Sequence, residues 1–265
     1  MTFNGKSVWI TGASSGIGEA LAGEFFARGA RLIISARNVQ KLEEIKKGFD
    51  AVESGRCIVV ACDVTNSASI NEAVNEVKKQ IPKLDILVNN AGVSQRATAL
   101  ETGIDVVRQL FEVNFFGTIA ITKAVLPWMI EKGGGHIAVI SSMAGKFGFR
   151  MRSAYSAAKH ALQGYFETLR AEMHDKNVRV TIICPGRVQT NISLNSFTGD
   201  GRLYGKMDKG QANGVSVTRC ARIIAQAVSN NRKEVFIGGP ELFLLVVKRA
   251  CPALYYWIAN RASPV

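Results

Sequence analysis

What would hold a metal, staple a secreted fold, cross a membrane or grip nucleic acid is scarce in this sequence. Its 265 residues include five cysteines, Cys57, Cys62, Cys184, Cys220 and Cys251, an odd and scattered set without Cys-x-x-Cys or metal spacing. That argues against a disulfide framework and for packing thiols in a reducing compartment. The three histidines, His136, His160 and His174, show no ligand pattern, so no metal is expected. No charged-then-apolar leader precedes the first strand-like run, which begins by Lys6. No unbroken run reaches the ~18–20 apolar residues that span a bilayer. Acidic residues are outnumbered 21 to 33 by Lys and Arg, giving a formal charge of +12. The excess is dispersed in singles and in pairs such as Lys46-Lys47, Lys78-Lys79 and Lys248-Arg249. No basic block reaches five or interleaves with aromatics, so nucleic-acid binding is not expected.

What is present is a globular balance, 47% hydrophobic and 20% charged, in a chain long enough for one large α/β domain. Short apolar, β-branched runs alternate with helical periodicity. Strands are expected at 7–11, 31–36, 57–62, 85–89, 136–141, 178–184 and 234–237. Helices are expected at 16–28, 39–53, 67–80, 103–111, 115–131, 154–175 and 217–230. Strands apolar on both faces belong in a buried parallel sheet with helices on each side. The reading is a doubly wound, Rossmann-like α/β domain over 1–240 with a seven-stranded parallel sheet. Two stretches break the alternation: the glycine-rich 189–214, a candidate substrate lid, and an apolar and basic extension at 241–265.

The first strand-like run, Ser7-Val-Trp-Ile-Thr11, leads into Gly12-Ala-Ser-Ser-Gly16-Ile-Gly18 and then a helical stretch. Strand, glycine turn and helix form the context of a dinucleotide site. Gly12 admits a backbone shape that a Cβ forbids. Gly16 lets the chain approach a pyrophosphate, and Gly18 lets the helix pack closely on the strand. The helix N-terminus offers free N–H groups and the positive end of its dipole to phosphate.

Far downstream, Tyr155 and Lys159 stand four residues apart in Ser153-Ala-Tyr-Ser-Ala-Ala-Lys-His160. On a helix that spacing puts both on one face. A phenol titrates near about 10 in water, and a fixed ammonium beside it favours the phenolate. The pair is expected to act as an acid and base near neutral pH. His160 points elsewhere on the same helix.

Together these features resemble the short-chain dehydrogenase/reductase family over about residues 5–238, and further motifs follow in that family's order. Asp63, followed by Val64, closes the run Cys57-Ile-Val-Val-Ala-Cys62, where the family sets an Asp against adenine. Asn89-Asn90-Ala91-Gly92 matches its N-N-A-G segment, and Asn114 and Ser142 match its catalytic Asn and Ser. Pro185, Gly186, Val188 and Thr190 fit its P-G-x-V-x-T pattern. The resemblance implies a hydride transfer between a nicotinamide and a carbonyl or alcohol, with Asn114, Ser142, Tyr155 and Lys159 as catalytic residues. It implies cofactor contacts from Gly12, Ser14, Ser15, Gly16, Ile17, Gly18, Asp63, Val64, Asn90, Ala91, Gly92, Pro185, Gly186, Val188 and Thr190, with Tyr155 and Lys159 serving both roles. It also implies a homo-oligomer; the 25 or so residues after the last strand would block one family interface, so a homodimer is expected and a tetramer is the alternative.

The cofactor can be narrowed from the second strand. An acid at its end would bind the ribose hydroxyls of NAD. Here Leu32-Ile-Ile-Ser-Ala-Arg37-Asn38 has none, and Arg37 would pair with a 2′-phosphate. NADP(H) is therefore expected, with Arg37 as clamp and Ser14 and Asn38 beside it, although Ser15 stands where many NADP-type members carry a second base. Met143, Phe147, Phe149 and Met151, with Leu194, Phe197, Leu203, Tyr204 and Met207 of the lid, suggest an apolar pocket and a lipophilic ketone or alcohol that is steroid-like, retinoid-like, fatty or xenobiotic. The alternatives are a 3-oxoacyl-thioester reductase and a nucleotide-sensing protein without turnover. The segment around Phe149-Arg-Met-Arg-Ser-Ala-Tyr155 resembles most the branch of dehydrogenase/reductase member 7 and the 11β-hydroxysteroid dehydrogenases. The extension, with Lys248, Arg249 and Arg261 among apolar and aromatic residues, reads equally as a weak membrane-surface anchor on a cytoplasmic protein or as a tail packed on its own fold or on a sister subunit.

Overall fold

Seven short strands build the centre of the molecule, and the computed structural model describes residues 2–49 and 54–261. The strands are β1 (Ser7–Thr11), β2 (Arg31–Ala36), β3 (Cys57–Ala61), β4 (Ile86–Asn89), β5 (Gly135–Ile140), β6 (Val178–Pro185) and β7 (Glu234–Ile237). They pair in parallel in the order β3-β2-β1-β4-β5-β6-β7. The order reverses between β1 and β4, which leaves a crevice at their carboxyl ends, the usual ligand position of this architecture.

Side chains alternate across each strand and so feed two cores. Val8, Ile10, Leu32 and Ile34 join Leu21 and Phe25 of α1 (Gly16–Ala27), Leu42 of α2 (Val39–Lys47) and Ile224 of α8 (Val217–Ser229) on one face. Trp9, Ile33, Leu87 and Ile137 join the other face. There they meet Val74 of α3 (Ser67–Gln80), Val125 of α5 (Gly117–Glu131) and Phe166 of α6 (Ser153–Glu172). The Trp9 indole N–H, buried in the sheet, donates to Ser35 Oγ at 2.9 Å. Cys57, Cys62, Cys184 and Cys220 are buried and free, and burial pushes their thiols up to about 11 or 12, as expected of packing residues.

Helix α2 stops at Lys47; the part of the expected 39–53 helix at 50–53 lies outside the described residues. The expected break between 111 and 115 is absent. Helix α4 (Ile104–Phe111) passes through a π turn at Glu112–Phe116 directly into α5. That 104–131 helix has a window of mean hydropathy 1.4, apolar and long enough for a membrane span by those measures, with 44% of the window buried in this fold. No unbroken apolar run announces it, because charged residues such as Asp105, Arg108 and Glu112 interrupt the sequence.

The 189–214 stretch is mostly turns, with a short helix α7 (Lys209–Ala212). Phe197 pairs with Gln95 and Leu203 through isolated bridges. Two further helices follow β7: α9 (Phe243–Ala250) and α10 (Pro252–Arg261). Pro252 starts α10, where its missing N–H is harmless. Val247 and Tyr255 are buried against the main core, and the Tyr255 ring lies 5.8 Å from that of Phe147. Lys248 Nζ donates to the Lys146 carbonyl at 2.7 Å. Phe243, Val246, Leu254, Tyr256 and Trp257 face outward.

Candidate active site

The crevice between β1 and β4 opens into a cleft of about 530 Å³. Its floor is the turn after β1, where Gly12 (φ +62°) and Gly16 (φ +59°) take left-handed backbone. A Cβ on Gly12 would lie 2.7 Å from Ala91 Cα, and one on Gly16 would crowd Thr190 Cγ2 at 3.3 Å. The turn is pinned from β4. Asn90 Nδ2 donates to the carbonyls of Thr11 (3.0 Å) and Gly12 (2.9 Å), while Thr11 Oγ1 accepts from the N–H groups of Asn90 and Ala91. Ser14, Ser15 and Ile17 complete this wall at the N-terminus of α1.

Arg37 and Asn38 line the far end, past β2. Asn38 Oδ1 accepts from Lys41 N and so caps α2. Asp63 and Val64 line the cleft past β3. Partial burial works to raise the Asp63 carboxyl, but hydrogen bonds from Thr65 N–H and Oγ1 and the charge of Arg37 together hold it below the usual value. Pro185, Gly186, Val188 and Thr190 line the wall after β6. Of the expected cofactor residues, Gly18 alone does not line the cleft; it sits beneath, where a Cβ would meet Gly12 O at 2.4 Å.

Tyr155 and Lys159, one turn apart in α6, face this cleft with Ser142 and Asn114. The Ser142 hydroxyl lies close enough to Tyr155 to favour its phenolate. Ser142 Oγ donates to the Pro185 carbonyl at 3.3 Å and accepts from Ala144 N–H. Lys159 is buried, with Nζ 5.8 Å from the Tyr155 ring centroid and donating to the Ile140 carbonyl at 2.8 Å. Asn114 lies inside the π turn, a common device at functional positions. Its amide bridges to Val93 O and N–H and to Leu110 O.

One electrostatic expectation is reversed. Tyr155 is moved up rather than down, because burial outweighs the favourable influence of the Ser142 hydroxyl and of the nearby Arg152 charge. Burial also depresses Lys159 to about 8. The expected apolar pocket is reduced too. Met143 and Phe147 are core residues, and neither they nor Phe149, Met151, Leu194, Tyr204 or Met207 line the cleft. Phe197 and Leu203 do, with Val93, Val113 and Ile192.

Several site-building residues carry no local signal in sequence. Gln95, buried after β4, accepts from the N–H groups of Ala154 (2.9 Å) and Tyr155 (3.2 Å) and so caps α6 from across the fold. Gln211 of α7 donates to the Val188 carbonyl and to Thr190 Oγ1. Arg96 and Arg152 both pair with Asp208, at the edge of the lid. Only contact in three dimensions gives these residues a role.

The comparisons agree with this architecture. A model of the family described as short chain dehydrogenase matches residues 6–200. A Drosophila melanogaster protein named dehydrogenase/reductase SDR family protein 7-like is 42% identical over 263 residues, 97% of this chain and 81% of its own length. Among solved structures, a Burkholderia phymatum short chain dehydrogenase/reductase in complex with NAD superposes with TM-score 0.84 at 23% identity, over 100% of this chain and 98% of that one. A Burkholderia cenocepacia short chain dehydrogenase in complex with NADP gives TM-score 0.80 at 25% identity, covering all of both chains. The chain belongs to the short-chain dehydrogenase/reductase family, as an oxidoreductase with a Rossmann-like fold.

Proposed function

We propose that the protein is an NADP(H)-dependent oxidoreductase acting between a carbonyl and a secondary alcohol, with a partly apolar substrate. The observation that carries this is that Ser142, Tyr155 and buried Lys159, one turn along from Tyr155, line one glycine-cradled cleft together. The cradle suits a dinucleotide, since its turn needs the left-handed backbone of Gly12 and Gly16 and packs too closely on Ala91 and Thr190 to admit side chains there. Gly12, Ser14, Ser15, Gly16 and Ile17 would hold the pyrophosphate, and Asp63 and Val64 the adenine. Asn90, Ala91, Gly92, Pro185, Gly186, Val188 and Thr190 would line the rest of the nucleotide path. Arg37 is exposed at its end of the cleft and would pair with a 2′-phosphate.

The nicotinamide, when bound, supplies or accepts the hydride. Tyr155 holds the proton that a carbonyl oxygen gains on reduction, and its raised pKa suits it to the acid role in that direction. Ser142 directs a second hydrogen bond to the same oxygen, where negative charge develops. Lys159, within reach of neutral at about 8, completes a proton path and binds the nicotinamide ribose. Asn114 holds the β4 loop at Val93 against the helix that carries it. Phe197, Leu203, Ile192 and Val93 favour a lipophilic body on the substrate.

We further read the protein as a homodimer at the cytoplasmic face of a membrane, its exposed α9–α10 aromatics giving weak contact with anionic lipid. A panel of ketones followed by NADPH oxidation tests the activity; no turnover of any ketone, with NADPH bound, would favour a nucleotide-sensing role instead.

A further inference from the structure

The substrate end of the cleft holds more positive charge than the hydride transfer requires. Arg152 lines the cleft three residues before Tyr155, with its Cζ 6.0 Å from the Tyr155 ring centroid. Its Nη2 donates to Asp208 Oδ2 at 3.1 Å, and its Nη1 approaches Ser94 Oγ at 3.4 Å. The same Asp208 oxygen pairs with Arg96 and accepts from Ser193 Oγ at 3.1 Å. Two guanidinium groups thus share one carboxylate, and the charge of Arg187 opposes both.

The two arginines differ in access. Arg96 is 3% exposed at its side chain and Arg152 is 19%. Asp208 is held by Arg96 and Ser193 and in turn pairs with Arg152, which lines the cleft. A guanidinium on the wall of a partly dehydrated cleft is stabilised when an anion joins it. A guanidinium held in one orientation matches a carboxylate or phosphate with two parallel hydrogen bonds. Burial and the repulsion from Arg187 lower the Arg152 pKa, and the same repulsion would be relieved by an entering anion.

We propose that Arg152 is a substrate-specificity residue that binds an oxyanion, carboxylate or phosphate, carried by the substrate a few bonds from the carbonyl that meets Tyr155. The substrate then has an apolar body against Phe197 and Leu203 and an acidic group at Arg152. This rests on the reductase reading for its chemistry, but its binding arm does not depend on turnover.

The experiment uses the full chain saturated with NADPH. Calorimetric titration compares octyl phosphate with octanol, and kinetics compare a 4-oxo fatty acid with its methyl ester. The expected result is binding of octyl phosphate at least tenfold tighter than octanol, a preference lost in Arg152→Met and partly restored in Arg152→Lys, while the NADPH Kd moves less than threefold. The acid-to-ester ratio of kcat/KM should fall in parallel in Arg152→Met. Equal binding of phosphate and alcohol by the unmodified protein overturns the proposal. So does a weakening of NADPH in Arg152→Met with octyl phosphate unaffected, which would assign the arginine to the cofactor's phosphates. Should Arg152→Met fail to fold, the comparison in the unmodified protein alone decides. Turnover of neither ketone, with octyl phosphate still preferred, would count against the reductase reading and leave the oxyanion site supported.

Discussion

Gln95 holds Tyr155 by its backbone: one carboxamide oxygen accepts the N–H of Tyr155 at 3.2 Å and of Ala154 at 2.9 Å, in the first turn of α6. The same amide donates to Thr102 Oγ1 at 2.7 Å. The residue is fully buried, so its removal strands donors and an acceptor away from water. Gln95→Leu should cost about 1–3 kcal/mol and lower the melting temperature by several degrees. Turnover should fall with it while the pH profile keeps its shape, because no titrating group is lost. An unchanged melting curve would show that the cap carries no weight.

Tyr155→Phe removes the proton but keeps the ring. Turnover should drop at least ~10²-fold, the low end for a positioned acid, while NADPH binding stays within a few-fold. Near-normal turnover would dismiss Tyr155 as the acid.

The sheet was legible because every strand is a short apolar run between glycine- or polar-rich turns, as at Ser7–Thr11 and Val178–Pro185, and each sits within a residue or so of its expected bounds. The nucleotide wall was legible for a related reason: Gly12 and Gly16 require backbone that only glycine takes easily. The substrate side was not. Met143 and Phe147 lie close to Ser142 in sequence, but the tight turn after β5 directs them into the core, where Phe147 meets Tyr255 of the extension. The Arg96–Asp208–Arg152 cluster joins residues up to 112 positions apart, a pairing that no local period encodes. Tyr155 also shows why spacing alone misjudges a pKa: the i, i+4 lysine is present, but its ammonium is engaged by Ile140 O and burial sets the sign.

Arg37 and Asp63 lie near enough for the arginine to lower the acid. Arg37→Asp would place two acids where a 2′-phosphate should enter. NADPH affinity should fall at least tenfold, with NADH becoming the tighter ligand; titration of both nucleotides by fluorescence decides. Equal affinities in the unmodified protein would exclude a role for Arg37 in selection.

Lys159 titrates near 8 in the fold against an ordinary value of 10.5. Between those values the unfolded chain binds a proton that the folded one refuses, so this residue costs stability as pH falls from 10.5 to about 8, and the cost stays constant below. Lys159→Met, an apolar chain of similar length, should abolish turnover yet stabilise the fold near pH 7 by ~1–3 kcal/mol. The gain should fade as pH rises from 8 toward 10.5. Denaturant unfolding across that range measures it; a destabilised variant at pH 7 would mean that the Ile140 hydrogen bond outweighs the burial of charge.

The α9–α10 extension divides its side chains. Val247 and Tyr255 belong to the core, so deleting the extension would expose that core and confuse any membrane assay. Phe243 and Trp257 are 68% and 54% exposed, and the Arg261 guanidinium lies 4.3 Å over the Trp257 ring. Each Å² of apolar surface covered is worth about 25 cal/mol, and Arg249 and Arg261 add attraction to anionic lipid that salt screens. The full chain should therefore sediment with phosphatidylserine-containing vesicles at low salt and be released as salt is raised. Phe243→Ser with Trp257→Ser should remain in the supernatant with an unchanged melting temperature. If the unmodified protein also stays in the supernatant at low salt, the outward face of the extension has another partner. A dimer by light scattering that these two substitutions dissociate would identify that partner as a second copy of the chain.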